Sequence, residues 1–236
     1  MRKKVLISTG GSGGHVVPAL ILREHLKEKF DIFLTSDQRG FKYIEGDENN
    51  FNIINALPIS RNIFLIPWAI IIFFFAIIKS LFLIKKNKIK IIISTGGYMS
   101  FPVCIAAKMA LCKIVLFEPN MVIGRSNLFL LRACSFILCY SNQIKNFPDK
   151  FKHKIKLISP LLRKKIYFEK KNVNNHFEGN IKILIIGGSQ GADYFQNNFK
   201  NTIFNLSKKF NLEVFHQVNK KNEKDLIYFY EKNKIN

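Results

Sequence analysis

Acidic side chains are scarce in this 236-residue chain: 16 Asp and Glu stand against 37 Lys and Arg, for a formal net charge of +21 and a pI near 9.9. An excess of that sign ordinarily points to nucleic acid or an anionic membrane surface. Lys, Ile, Asn and Phe are inflated together, as an AT-rich coding sequence would produce, so part of the charge is read as solvated surface. An aromatic-basic module or recognised nucleic-acid motif is missing, and no nucleic-acid partner is expected. Cysteine is sparse, and Cys104, Cys112, Cys134 and Cys139 lie in apolar segments without Cys-x-x-Cys spacing or nearby histidines. They are expected to be buried thiols of a reducing cytoplasm, with no disulfide, metal or cofactor. The basic start Met1-Arg2-Lys3-Lys4 leads into an apolar run of only a few residues, too short for a signal peptide.

Glycine is not abundant, but four of the 13 crowd into Thr9-Gly10-Gly11-Ser12-Gly13-Gly14-His15, between an apolar strand-like run and a helix-like segment opened by Pro18. Such a loop lets the backbone turn tightly and brings bare N–H groups and the positive end of a helix up to an anion. A phosphorylated substrate is the natural expectation. A P-loop would need Gly-Lys-Ser/Thr, and here His15 follows Gly14, so ATP or GTP hydrolysis is not expected. A dinucleotide fingerprint started at Gly11 and Gly13 would put its third glycine at Val16, where helix and strand should pack closely.

Apolar runs at 5–8, 31–35, 52–55, 89–94, 114–118, 136–140 and 156–158 predict strands, several of them continuous Ile/Val/Leu/Phe runs as in a parallel sheet covered on both faces. Helices are predicted at 17–30, 63–85, 101–111 and 126–134, the first with Leu22, Leu26 and Phe30 as its stripe. This alternation predicts a doubly wound, mostly parallel α/β sheet with ligand loops at the carboxyl ends of the strands. After a charged, Asn-rich stretch, a strand at 181–186, a helix at 193–208, a strand at 212–217 and a helix at 223–233 predict two further β-α units. The expected organisation is a first domain at 1–163, a linker at 164–180 and a partial second domain at 181–236, too short for a complete core of its own.

Four motifs in order, the glycine loop, Thr95-Gly96-Gly97-Tyr98, Glu118-Pro119-Asn120 with Gly124 and Asn127, and Gly187-Gly188-Ser189-Gln190-Gly191-Ala192, make the chain resemble the MurG family, the bacterial N-acetylglucosaminyltransferases that form lipid II. The resemblance spans roughly residues 3–217. It implies a GT-B-like pair of Rossmann-like domains across a cleft, with the second cut short here and the chain alone expected to be inactive. It also implies transfer of N-acetylglucosamine from UDP-N-acetylglucosamine to lipid I, an undecaprenyl-pyrophosphoryl-linked acceptor, by a peripheral enzyme on the cytoplasmic side of the inner membrane. Alternatives are a non-catalytic, membrane-anchoring half of a split enzyme and a dinucleotide-dependent oxidoreductase.

The segment at 63–84 is long enough to cross a bilayer, but Pro67 and Lys79 interrupt it and strands of one sheet flank it. It is read as an interfacial helix, with Arg61, Lys79, Lys85, Lys86, Lys88 and Lys90 meeting anionic headgroups; a core helix and a spanning helix are the alternatives. Sugar transfer needs a base for the acceptor hydroxyl and stabilisation of the departing diphosphate. His15 is the candidate base or a ligand of the acceptor diphosphate. Glu118 is a second acid/base candidate, with loop ordering as its alternative role. The resemblance implies substrate contacts at Ser12, Gly13, Gly14 and Asn120, although Pro119 replaces the family's usual Gln. It also implies donor contacts at Ser189 and Gln190. Arg163 suits phosphate by its bidentate geometry, with solvated surface as the alternative; the surrounding Ser159-Pro160-Leu161-Leu162 matches the family only loosely.

Overall fold

The computed structural model describes residues 2–44, 50–56, 66–168, 181–187 and 192–235. The chain divides into two compact units, Met1–Lys170 and Lys171–Asn236.

Unit 1 holds strands β1 (Lys3–Ser8), β2 (Phe30–Ser36), β3 (Phe51–Ile53), β4 (Ile91–Ser94), β5 (Lys113–Glu118), β6 (Phe136–Cys139) and β7 (Ile155–Leu157). All pair in parallel in the order β3-β2-β1-β4-β5-β6-β7. The chain starts at the middle of the sheet, winds out to one edge, returns and winds to the other, as expected for a doubly wound fold. Among the described residues six α-helices accompany the strands: α1 (Gly13–Leu26), α2 (Gln38–Phe41), α3 (Ile66–Lys86), α4 (Ser100–Met109), α5 (Arg125–Leu130) and α6 (Lys164–Phe168).

Successive strand residues point to opposite faces, and here both faces are buried. Leu6, Ile92, Ile114, Leu116 and Ile137 join one core, which also takes in Ala76, Leu83 and Ile84 of α3 and Val103 and Cys104 of α4. Val5, Ile7, Ile93, Val115 and Phe117 join the other, with Ala19 and Leu22 of α1. That is why the strands read as unbroken apolar runs. All four cysteines are free and buried, and burial pushes the thiols of Cys104 and Cys139 up to about 12.

Several boundaries differ from the periodicity. Helix α1 begins at Gly13 with Ser12 as its extended N-cap, so the last two loop glycines form its first turn, and it ends at Leu26. Phe30 opens β2 and packs in the α1-side core from the sheet, not from the helix stripe. Helix α5 stops at Leu130, and just past its end Lys154 Nζ donates to the carbonyls of Leu131 and Cys134, at 2.7 Å each. Helix α6 lies in the stretch expected to be linker.

Helix α3 has 21 residues, about 32 Å at 1.5 Å per residue. It packs on α4 through Ala76, Ser80, Leu83 and Ile84, while Trp68, Ile70, Phe74, Phe75 and Phe82 stand at least 60% exposed. A purely internal helix does not leave such side chains in water. A membrane crossing does not fit either, since β3 before it and β4 after it belong to one sheet. Lys79, Lys85, Lys86, Lys88 and Lys90 are exposed as expected; Arg61 and the start of the predicted helix lie outside the described residues.

Unit 2 contains β8 (Ile181–Ile185) and β9 (Leu212–His216), paired in parallel, with α7 (Ala192–Ser207) and α8 (Glu223–Lys232). Ile185, Ile203, Leu212 and Ile235 form its small core. These are the two β-α units that the sequence pattern predicts.

Candidate functional site

The parallel register places the ends of β1, β2, β4 and β5 level with one another, and each releases a loop at the same rim. Two glycine-bearing loops meet there. Gly97 has φ +88°, and a Cβ on it would lie 2.8 Å from the carbonyl oxygen of Gly10, so only glycine permits the approach. Gly96, at φ +96°, would place a Cβ 3.1 Å from His15 Nδ1 and 3.8 Å from Asn127 Nδ2, so these two side chains converge on it.

His15 is fixed from both sides. Its Nδ1 lies 2.9 Å from the carbonyl oxygen of Thr95, and Thr95 Oγ1 donates back to the carbonyl of His15 at 3.0 Å. A carbonyl can only accept, so Nδ1 carries the proton and Nε2 of the neutral ring holds the lone pair. This is the tautomer a general base requires, set here by the backbone of the second glycine loop.

Two buried carboxylates secure the loops. Asp37, at the end of β2 and N-cap of α2, accepts from the backbone N–H of Gly11 and Gly40 on Oδ1 at 2.8 and 2.9 Å. Its Oδ2 takes Nε and Nη2 of Arg39 at 2.9 and 2.7 Å. Burial alone would raise this carboxyl; the N–H groups of Gly11 and Gly40 and the Arg39 guanidinium outweigh it and hold the pKa below the ordinary 3.8. Glu118, at the end of β5, accepts from N and Nδ2 of Asn120 on Oε1, and from Gly124 N and Asn127 Nδ2 on Oε2 at 2.7 and 3.0 Å.

Over this rim lies a cavity of about 970 Å³. Gly10, Gly11, Ser12, His15 and Asn127 contribute to its polar floor, with Arg39 and Arg125 beside them. Ile66, Ala69, Ile70 and Phe73 of α3 line it as well, with Phe101 and Phe129. Polar loop residues and an apolar helix wall thus line one cavity. Among the described residues no group of three or more His, Cys, Asp or Glu is placed to hold a metal.

The site residues expected from sequence fare unequally. His15 and Ser12 line the cavity; Gly13 and Gly14 supply the first turn of α1 beneath it, Gly13 packing on the Tyr43 ring. Glu118 is not placed as a base: four N–H donors fill its two oxygens, leaving no acceptor site for a substrate hydroxyl. It orders the loop instead. Asn120 is exposed but turned to Glu118 and does not line the cavity; Gly124 and the first turn of α5, Arg125 to Asn127, do. Arg163 is not brought to this rim. Its neighbours bond His25 and Glu24 near the far end of α1, about 16 Å by helix rise from Gly13. Ser189 and Gln190 lie outside the described residues. Val16, where a dinucleotide fingerprint needs its third glycine, is fully buried, which leaves no support for that reading.

Asp37, Arg39 and Arg125 were not singled out from sequence. The signal for Asp37 is its position just beyond β2: Ser8 is in register with Thr35, which sets the carboxylate beside Gly10 and Gly11. Asn127 is 2% exposed, and among the described residues no donor reaches its Oδ1.

Known proteins bear on this arrangement. A UDP-N-acetylglucosamine--N-acetylmuramyl-(pentapeptide) pyrophosphoryl-undecaprenol N-acetylglucosamine transferase of Pelagibacter ubique (strain HTCC1062) is 51% identical over 235 residues, covering 100% of this chain and 65% of that protein. The transferase of the same name from Haemophilus influenzae (strain PittEE) is 28% identical, covering 98% of this chain and 65% of its own length. The crystal structure of Acinetobacter baumannii MurG superposes with a TM-score of 0.74 at 22% identity, over 98% of this chain and 65% of that one, a likeness in GT-B-type α/β fold. This chain therefore spans about 65% of the length of these relatives. Residues 5–138, more than half of the chain, match the glycosyltransferase family 28 N-terminal domain, and the protein belongs to that family.

Proposed function

We propose that this chain supplies the acceptor side of an N-acetylglucosaminyltransferase that moves N-acetylglucosamine from UDP-N-acetylglucosamine to lipid I, forming lipid II. His15 carries the reading: its tautomer is set with Nδ1 as donor, in a cavity whose wall is an apolar helix. Nε2 takes the proton of the attacking sugar hydroxyl as the bond from the anomeric carbon to the donor diphosphate breaks, and the hydroxyl oxygen takes the sugar. The loop N–H groups and the first turn of α1 stabilise phosphate charge at the rim. The uridine end of the donor is assigned to the part of the relatives that this chain does not span, and Ser189 and Gln190 are kept as donor contacts.

The same reading puts the protein on the cytoplasmic face of the bacterial inner membrane as a peripheral enzyme. Trp68, Phe74, Phe75 and Phe82 would enter the lipid boundary, with Lys85 and Lys86 among anionic headgroups. An acceptor anchored in the bilayer then meets the cavity along the helix that docks the protein.

The test is a chimera joining this chain to the carboxyl-terminal third of the Pelagibacter ubique relative. It should transfer N-acetylglucosamine from UDP-N-acetylglucosamine to a soluble lipid I analogue. A folded chimera that binds UDP but leaves the analogue unglycosylated refutes the proposal.

A further inference from the structure

We propose that Arg39, carried on Asp37, and Arg125 clamp the diphosphate of the lipid-linked acceptor, and thereby select an apolar diphosphate over a nucleotide one at this cavity. The inference rests on the transferase reading above.

Arg39 is fastened on one edge only. Nε and Nη2 hold Asp37 Oδ2, while the side chain stays 57% exposed and lines the cavity beside Gly11. A guanidinium presents five N–H donors in a planar fork, so the edge turned away from Asp37 keeps donors for a second oxyanion. Asp37 joins that fork to the loop itself, because its other oxygen accepts from Gly11 N. Arg39 is therefore prepositioned relative to the glycine loop.

Arg125 comes from the other side. It opens α5 after β5, while Arg39 follows β2, and β1 and β4 stand between those strands. Three inter-strand spacings put the two strand ends about 14 Å apart, with both glycine loops in the gap. Two long cationic side chains lining one cavity from the two ends of that gap suit a group with two phosphates better than one with a single phosphate. Among the described lining residues there is no Asp or Glu to compete for them.

What lies next to the clamp decides between the two diphosphates of the reaction. Ile66, Ala69, Ile70 and Phe73 offer a hydrocarbon wall in the same cavity as the arginines. A polyprenyl diphosphate carries its apolar chain adjacent to the phosphates, whereas a nucleotide carries a ribose there.

Trp68, the single tryptophan, lies on α3 between Ile66 and Ala69 and reports occupancy by fluorescence. The 236-residue chain is titrated with farnesyl diphosphate, farnesyl monophosphate and UDP, all below micellar concentrations. Farnesyl diphosphate should bind at least 10-fold more tightly than either competitor. Arg39→Gln and Arg125→Gln should each weaken it about 10-fold or more, with unchanged circular dichroism. Arg39→Lys should recover only part of the loss, since an ammonium cannot hold Asp37 as a fork and the phosphate together. Asp37→Asn should reproduce the Arg39→Gln loss, because it releases the guanidinium. Absence of farnesyl diphosphate binding by the unsubstituted chain, or full binding by a folded Arg39→Gln variant, overturns the clamp. So does an equal loss of UDP binding. If instead the clamp behaves as expected while the chimera transfers no sugar, the transferase reading fails and the diphosphate site stands.

Discussion

Asp37 and Glu118 stand three strands apart on the same rim, both buried, both accepting backbone N–H groups from a loop that bears glycine. Each oxygen of Glu118 is spent on neutral donors of its own loop. Asp37 gives one oxygen to its loops and the other to a guanidinium that continues into the cavity. The same device thus serves once as a closed staple and once as a staple with a charge attached. Position at a strand end and burial do not separate the two roles; the partner of the last oxygen does.

If the stapling is shared, Asp37→Ala and Glu118→Ala should cost similar stability. Each strands buried N–H groups whose desolvation costs about 1–3 kcal/mol apiece, so a loss of roughly 3–4 kcal/mol is expected in urea titrations, or about 10 °C in melting temperature. A loss under about 1 kcal/mol for one of them would end the parallel.

The comparison also separates Glu118 from catalysis, and His15 is the control. In the chimera, His15→Ala should lower kcat about 100-fold with little change in the donor KM. Glu118→Gln should instead act on stability, since its new amide N–H groups face Gly124 N and Asn127 Nδ2, and the pH profile of kcat should keep its shape in the surviving enzyme. Near-normal turnover after His15→Ala would make the histidine a packing residue and return Glu118 to candidacy.

The smallest expected effect is a pH dependence peculiar to Asp37. Its folded pKa is lowered, so its contribution is fully present above the unfolded value near 3.8 and is lost as pH falls through the folded one. The stability difference between the unsubstituted chain and Asp37→Asn should therefore be constant from pH 7 down to about 5 and shrink by pH 3. A difference that grows on acidification contradicts the assignment.

Much of the frame was legible beforehand because it rests on local rules. Continuous apolar strands declared a parallel sheet covered on both faces, and the glycine loop declared the end of β1. Boundaries failed where periodicity alone does not mark an element's end: α5 stops at Leu130 although the apolar pattern runs on, and Phe30 looks like a fourth-residue repeat of α1 although it begins β2. The exposed apolar face of α3 was readable as well, because no single buried side could absorb so many bulky residues.

The sequence by itself determined that a glycine-rich loop sits at the end of the first strand and that His15 adjoins it, since four glycines and the following helix act on a few consecutive residues. Only the tertiary structure decided which side chains serve that loop. Asp37 reaches Gly11 across 26 positions, and Thr95 orients His15 across 80. Arg163 is left beside the far end of α1. Parallel pairing brings distant strand ends to one rim, and no spacing along the chain encodes that distance.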